Sequence, residues 1–151
     1  MKELKVITNS VEETHELGNK IAEFSKPNMV FLFDGDLGAG KTTLTQGIAK
    51  GLGVKRIVTS PTFNILKIYN DGCMPLYHID AYRLEGSHQD LGFDEFLDDD
   101  GITVIEWSEY VPSLVPENRL IVTIHLLDED RREFTFTAYG EAYEKLLEEI
   151  K

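Results

Sequence analysis

Residues 29–52 read MVFLFDGDLGAGKTTLTQGIAKGL, and the architecture expected of the chain grows from them. An apolar run, Met29 to Phe33, gives way to Asp34-Gly35 and then to Asp36-Leu37-Gly38-Ala39-Gly40-Lys41-Thr42-Thr43. Leu44, Ile48 and Leu52 follow at the spacing of one helix face. Gly35, Gly40, Lys41 and Thr42 satisfy the phosphate-loop pattern G-x-x-x-x-G-K-[ST]. Chance would produce that bare pattern in roughly 1 chain in 100. The buried strand before it and the amphipathic helix after it supply the context that chance does not.

Each part of the pattern has a physical task. Glycines reach backbone angles closed to other residues and let the main chain wrap a polyphosphate. Successive N–H groups then form an anion nest, and the following helix adds its positive end. Nucleotide contacts are expected from Gly35, Asp36, Gly38, Ala39, Gly40, Lys41, Thr42 and Thr43. Lys41 would meet the β- and γ-phosphates, and the Thr42 hydroxyl would ligate Mg²⁺. The ligands expected from the loop are therefore a nucleotide polyphosphate and Mg²⁺.

At 151 residues and 42% apolar content, one globular domain over 1–151 is expected. Cys73, the single cysteine, excludes an internal disulfide and reads as an incidental thiol in a turn. No signal-peptide-like or membrane-length apolar run is present, so a cytoplasmic protein without a membrane partner is expected. The net charge is −12, from 27 acidic and 15 basic residues. Unaided binding to nucleic acid or an anionic membrane requires the opposite sign, which leaves any RNA to other subunits.

The remaining segments build a mixed sheet. Leu4 to Ile7 reads as a short strand, and Ser10-Val11-Glu12-Glu13 as a capping box. The next helix carries Leu17, Ile21 and Phe24 inward and stops before Pro27. Asn64 to Tyr69 and Pro75 to Asp80 read as a hairpin about Asp71-Gly72. Ser87 to Asp100 is a weakly helical, acidic connector whose spacing does not fit an EF-hand. Ile102 to Ile105 is a buried strand. Leu120 to Leu126 and Glu133 to Ala138 alternate about the turn Asp128 to Arg131, giving a second hairpin. A last helix points Tyr143, Leu146, Leu147 and Ile150 inward. The expected fold is α/β, a three-layer P-loop NTPase-like arrangement whose mixed sheet carries an antiparallel hairpin extension.

A nucleotide hydrolase needs an acid near the metal and a group that orients water. Asp80 and Glu106 close apolar strands, where such groups belong, and are the catalytic candidates; each is otherwise a plain strand terminator. Glu106 has the more apolar strand behind it, and with Thr42 forms the expected metal pair. Thr59, Ser60 and Thr62 suit a γ-phosphate-sensing segment or an ordinary turn. Arg83 either stabilises phosphate charge or pairs with a surface acid. His78 reads as a hydrogen-bonded structural residue, and Trp107 as packing.

Four segments, GDLGAGKTT (Gly35 to Thr43), SPTF (Ser60 to Phe63), HIDAYRL (His78 to Leu84) and IEW (Ile105 to Trp107), together resemble the TsaE (YjeE) family of small bacterial P-loop ATPases. That resemblance implies an ATPase, with ATP and Mg²⁺ as cofactors, needed to form threonylcarbamoyladenosine in tRNAs that read codons beginning with A. It implies two protein partners, the tRNA threonylcarbamoyl transferase (TsaD) and its non-catalytic relative (TsaB), with tRNA met only indirectly. It also implies weak activity in isolation and hydrolysis that resets the complex between turnovers. By position, Thr42 and Glu106 match the family's magnesium pair, and Asp80 an acid required for activity. Thr8 to Ser10, with Ser10 foremost, and Arg131-Arg132, with Arg132 foremost, fall where the family contacts nucleotide outside the loop. Ala81 and Ser108 depart from the family's usual larger apolar residue and Pro. A small-molecule kinase and a nucleotide-sensing switch share the loop and stand as alternatives. With five arginines in the chain, the arginine-rich lid of such a kinase is not apparent.

Overall fold

The computed structural model describes residues 1–35, 40–59, 65–82 and 100–151. Asp36, Gly38 and Ala39 of the loop, Ser60 to Phe63, Arg83 and most of the acidic connector lie outside the described residues.

Among the described residues, seven strands and three α-helices follow one another, the first two helices between early strands and the third closing the chain. They are β1 (Lys2–Thr8), α1 (Val11–Phe24), β2 (Val30–Gly35), α2 (Lys41–Gly51), β3 (Leu66–Tyr69), β4 (Leu76–Asp80), β5 (Ile102–Glu106), β6 (Arg119–Leu126), β7 (Arg132–Tyr139) and α3 (Glu141–Ile150). One sheet takes all seven strands in the order β1-β7-β6-β2-β5-β4-β3. The four central strands, β6, β2, β5 and β4, run parallel. Both edges are antiparallel, β3 pairing on β4 and β7 on β6, so both expected hairpins form.

Burial explains which strands sit at the centre. The apolar runs of β2 and β5 are covered on both faces, Phe31, Leu32 and Phe33 in one and all of Ile102–Glu106 in the other. β6 and β7 alternate, with Leu120, Val122, Ile124, Phe134 and Phe136 on one buried face. The N-terminal strand is longer than expected from Leu4 to Ile7, and its neighbour was not legible from the sequence. It pairs with β7 from Lys2↔Ala138 to Thr8↔Arg132.

Parity along the strands sorts the core into two. Phe31, Phe33, Val104, Leu120, Val122, Phe134 and Phe136 face all three helices in the larger cluster. Leu32, Ile79, Ala81 and Ile105 point the other way, toward Val111, Trp107, Tyr110 and Leu114. On that second face the described cover is a segment with two 3₁₀ turns, Ser108–Tyr110 and Pro112–Leu114. Tyr143, Leu146, Leu147 and Ile150 of α3 are buried, as the periodicity requires.

The capping box on α1 forms with a shift. The Glu13 amide donates to Ser10 Oγ at 3.1 Å, while Glu13 Oε1 accepts from the Asn9 amide at 2.9 Å, one residue before the cap.

Helices α1 and α2 meet backbone to backbone. A Cβ placed on Gly18 would lie 2.7 Å from the Gly47 backbone, and one on Gly47 would lie 2.6 Å from the His15 carbonyl oxygen. A Cβ on Gly51 would lie 2.6 Å from that of Ala22. This glycine seam fixes where α2 begins, and therefore where Lys41 stands.

Candidate functional site

Parallel pairing delivers the acidic candidates to one place. Asp80 at the end of β4 is the register partner of Glu106 at the end of β5, and Glu106 in turn pairs with Phe33 of β2. Two residues earlier on β4, His78 shares the face of Asp80, because side chains alternate with period two. All three side chains lie on the face where α2 begins with Lys41, beside the end of β2.

Glu106 is the hub. Its side chain is 5% exposed, and Oε2 lies 2.6 Å from His78 Nε2, on an imidazole that is fully buried. Its other oxygen, Oε1, lies 3.7 Å from Lys41 Nζ. That ammonium also donates to the Gly35 carbonyl at 2.8 Å and sits 5.0 Å from the centre of the Trp107 ring. A buried charge persists only when paired and hydrogen-bonded, and here each ion has both. His78 Nδ1 is buried and has no hydrogen-bond partner among the described residues.

Asp80 is only partly covered, and Oδ1 accepts from the Tyr82 amide at 3.1 Å. Burial pushes its carboxyl above the usual carboxylate range. The Glu106 charge adds to that rise, while the Tyr82 amide, His78 and Lys41 act against it.

Trp107 has a positive φ of 59°, a conformation rare for a bulky residue. It stacks on Tyr110 with ring centres 6.1 Å apart and contacts Tyr82 at 5.0 Å. The backbone thus turns sharply after Glu106 and lays the indole beside the Lys41 ammonium. Strain of this kind is kept only where surrounding contacts over-determine it. The expectation of a packing residue holds, and the packing is against the site itself.

Gly40 closes the other side of the loop. Its φ of 112° suits glycine, and a Cβ there would lie 3.6 Å from Arg132 Nε. The Arg132 guanidinium is anchored by donating to the carbonyls of Asp128, Glu129 and Arg131. Asp128 braces the same turn, accepting from Arg131 Nε at 2.7 Å and from the amides of Asp130 and Arg131. The Arg131 guanidinium, aided by those amides, holds the exposed Asp128 carboxyl down at about 2. Ser10, Val11, Thr14, Gly40, Thr43 and Arg132 line one small cavity of about 50 Å³, together with Glu129 and Asp130. Ser10 and Arg132 are 122 positions apart in sequence, and folding brings both to the helix end of the loop.

The donor chemistry fits magnesium brought with a nucleotide. Mg²⁺ is usually held by one or two carboxylates plus substrate phosphates, not by a dedicated protein cage. Among the described residues no group of three His, Cys, Asp or Glu side chains is arranged to hold a metal ion. Glu106, Asp80 and the Thr42 hydroxyl at the start of α2 are the oxygens available for such a shared site. Of the other sequence candidates, Thr59 accepts from Lys67 Nζ at 2.8 Å on the exposed surface. His78 is hydrogen-bonded, as its place on an apolar strand suggests, but its partner Glu106 was hidden although His78 and Asp80, two residues apart on one strand, share a face.

A parallel-centred mixed sheet, with a strand leading through a glycine loop into a helix that starts with Lys41-Thr42, defines a P-loop NTPase-like α/β protein. The profile of the family described as threonylcarbamoyl adenosine biosynthesis protein TsaE matches residues 8–134. The chain belongs to the TsaE family. It is 49% identical over 150 residues to the tRNA threonylcarbamoyladenosine biosynthesis protein TsaE of Bacillus subtilis (strain 168), covering 99% of this chain and 95% of the relative. The protein of the same description from Treponema pallidum is 35% identical, covering 87% and 98%. The crystal structure of Bacillus subtilis YdiB superposes with a TM-score of 0.84 at 45% identity, covering 99% of this chain and 94% of that one. No described helix is long and apolar enough to cross a membrane.

Proposed function

We propose that this protein is a Mg²⁺-dependent ATPase that supports threonylcarbamoyl modification of adenosine in tRNAs reading A-starting codons. It acts in the cytoplasm through a complex with the transferase TsaD and its non-catalytic relative TsaB. Membership of the TsaE family supports the pathway. One observation carries the chemistry: Lys41 and Glu106, 65 positions apart in sequence, lie 3.7 Å from each other at the mouth of the loop. A cation for the phosphates and a carboxylate for their metal are the two charges a phosphate loop must bring together.

In this reading the Thr42 hydroxyl and Glu106 would hold Mg²⁺, which when bound would offset phosphate charge. Lys41 exchanges its bond to the Gly35 carbonyl for a phosphate oxygen. Gly40, Thr43, Ser10 and Arg132 form the flank against which the rest of the nucleotide lies, with Asp36, Gly38 and Ala39 supplying loop amides. Asp80, one strand over from Glu106, orients the attacking water or accepts its proton. The raised affinity of its carboxyl for a proton suits a group that must exchange one.

Intrinsic turnover is expected to be low. Arg56, Arg119 and Arg131 are engaged with Asp71, Tyr139 and Asp128, and among the described residues only Arg132 lies at the loop. A partner then completes the site, as arginine fingers do elsewhere, with gains of about 10³–10⁵ in rate. Phosphate release measured with and without the two partner proteins tests this. Turnover stimulated by partners and abolished by Lys41→Ala is expected; self-sufficient transfer to a metabolite, or binding without turnover under every condition, would overturn it.

A further inference from the structure

We propose that His78 is a positioning residue for Glu106: its Nε2–H fixes Oε2 of the carboxylate, so that Oε1 alone faces Lys41 and the loop. This rests on the reading of Glu106 as a magnesium-holding group, and it assigns to His78 the work of aiming that group.

Three observations carry it. First, the 2.6 Å contact joins a buried imidazole to a buried carboxylate across neighbouring parallel strands. The register partner of His78 is Val104, two residues before Glu106 on the same face. The ring therefore reaches diagonally toward the strand end and limits rotation of the Glu106 side chain. Second, the two carboxylate oxygens have separate partners. Oε2 meets the imidazole, and Oε1 meets the Lys41 ammonium at 3.7 Å. A carboxylate without the first contact is free to swing and to offer either oxygen. Third, the polarity of the bond follows from the acceptor. An ionised carboxylate only accepts, so the hydrogen belongs on Nε2. Nδ1, without a partner among the described residues, then carries a lone pair and not an orphaned N–H. Ligating groups are commonly oriented by such outer partners, whose loss costs about 10–100-fold in metal affinity.

The test compares His78→Gln, whose amide N–H can reach Glu106, with His78→Leu and the shorter His78→Asn, which cannot donate at that position. A fluorescent ADP analogue is titrated into each protein across a range of Mg²⁺ concentrations and again in chelator. The Mg²⁺ concentration at half effect should rise at least about tenfold in the Leu and Asn variants and stay within about threefold of the parent in the Gln variant. Affinity in chelator should be the same in all folded variants. Long-range ¹⁵N–¹H correlation on the nucleotide-free protein supplies an independent reading, with the hydrogen expected on Nε2 of His78. A hydrogen on Nδ1, or equal loss in chelator and in Mg²⁺, overturns the proposal, as does failure of the Gln variant to restore the Mg²⁺ response. Should the parent itself show no Mg²⁺-dependent binding, the proposed ATPase reading fails, while the nitrogen correlation still decides whether the Glu106 contact exists.

Discussion

At the residue scale, the proposed function rests on a few buried groups that pair with one another. Lys41 is 6% exposed and Glu106 4% exposed, and isolated ions at such depth would be costly. Removing either leaves the other uncompensated, so an effect on stability of about 3–5 kcal/mol can accompany the functional one. Thr42→Ala and Glu106→Gln should both weaken the Mg²⁺ dependence of nucleotide binding by about 10–100-fold. The double variant should lose little more than either single one, as a thermodynamic cycle would read for two ligands of one ion; additive losses would separate them. Asp80 gives a pH test. Its folded carboxyl binds a proton more readily than the unfolded one, so its contribution to stability is fully present below the unfolded value of 3.8 and is lost as pH rises through the raised folded value. Asp80→Asn should therefore raise Tm by about 1–3 °C at pH 7, with the gain fading toward pH 3, while turnover falls by about 10²-fold or more. A lower Tm at pH 7, in melts of folded protein, would contradict that electrostatic account.

Much of this scale was legible in the sequence, because the phosphate-loop residues announce themselves by type and spacing. Asp80 and Glu106 were legible as strand ends. What remained hidden was pairing across strands. His78 reads as an ordinary strand histidine until β4 and β5 are known to be parallel neighbours in the register Asp80↔Glu106. Trp107 likewise hides its role, since a positive φ cannot be read from a tryptophan.

At the element scale, the position of α2 depends on the seam with α1. Nothing in the hydrophobic pattern identified it, although Gly47 and Gly51 lie one turn apart, Gly47 against His15 and Gly18 and Gly51 against Asn19 and Ala22. Such spacing carries no apolar signal, which is why periodicity overlooked it. Gly47→Ala should gain about 1 kcal/mol of helix propensity yet lose more through the clash with the His15 carbonyl, for which overpacking typically costs about 1–3 kcal/mol. In thermal unfolding Tm should fall by several degrees, at about 2–4 °C per kcal/mol for a chain of this size. Nucleotide affinity should fall with it, because Lys41 heads the displaced helix. An unchanged Tm would mean that the helices can part without cost. The hairpins, by contrast, were plain from alternation and turn residues. The partner of β1 was not, because pairing between the first strand and β7 is a contact of long sequence separation.

At the scale of the whole molecule, a chain with a net charge of −12 carries the proposed polyphosphate site. The chain alone should not retain tRNA at about 0.15 M salt, since neutralising phosphates requires the opposite surface charge. Filter binding checks this, and retention that weakens steeply with added salt would contradict it. The family's pathway acts on tRNA, so under the proposed function the charge assigns contact with RNA to the proposed partners and nucleotide chemistry to this protein. The charge that motivates this proposed division is read directly from the composition; a surface for protein partners is not legible there, because exposed residues follow no period.

Calorimetric titration of the protein with MgATP tests the central claim most directly. The account predicts one saturable site per chain, lost in Lys41→Ala and weakened when Mg²⁺ is withheld. No heat of binding at millimolar MgATP, with the partner proteins also supplied, would contradict it.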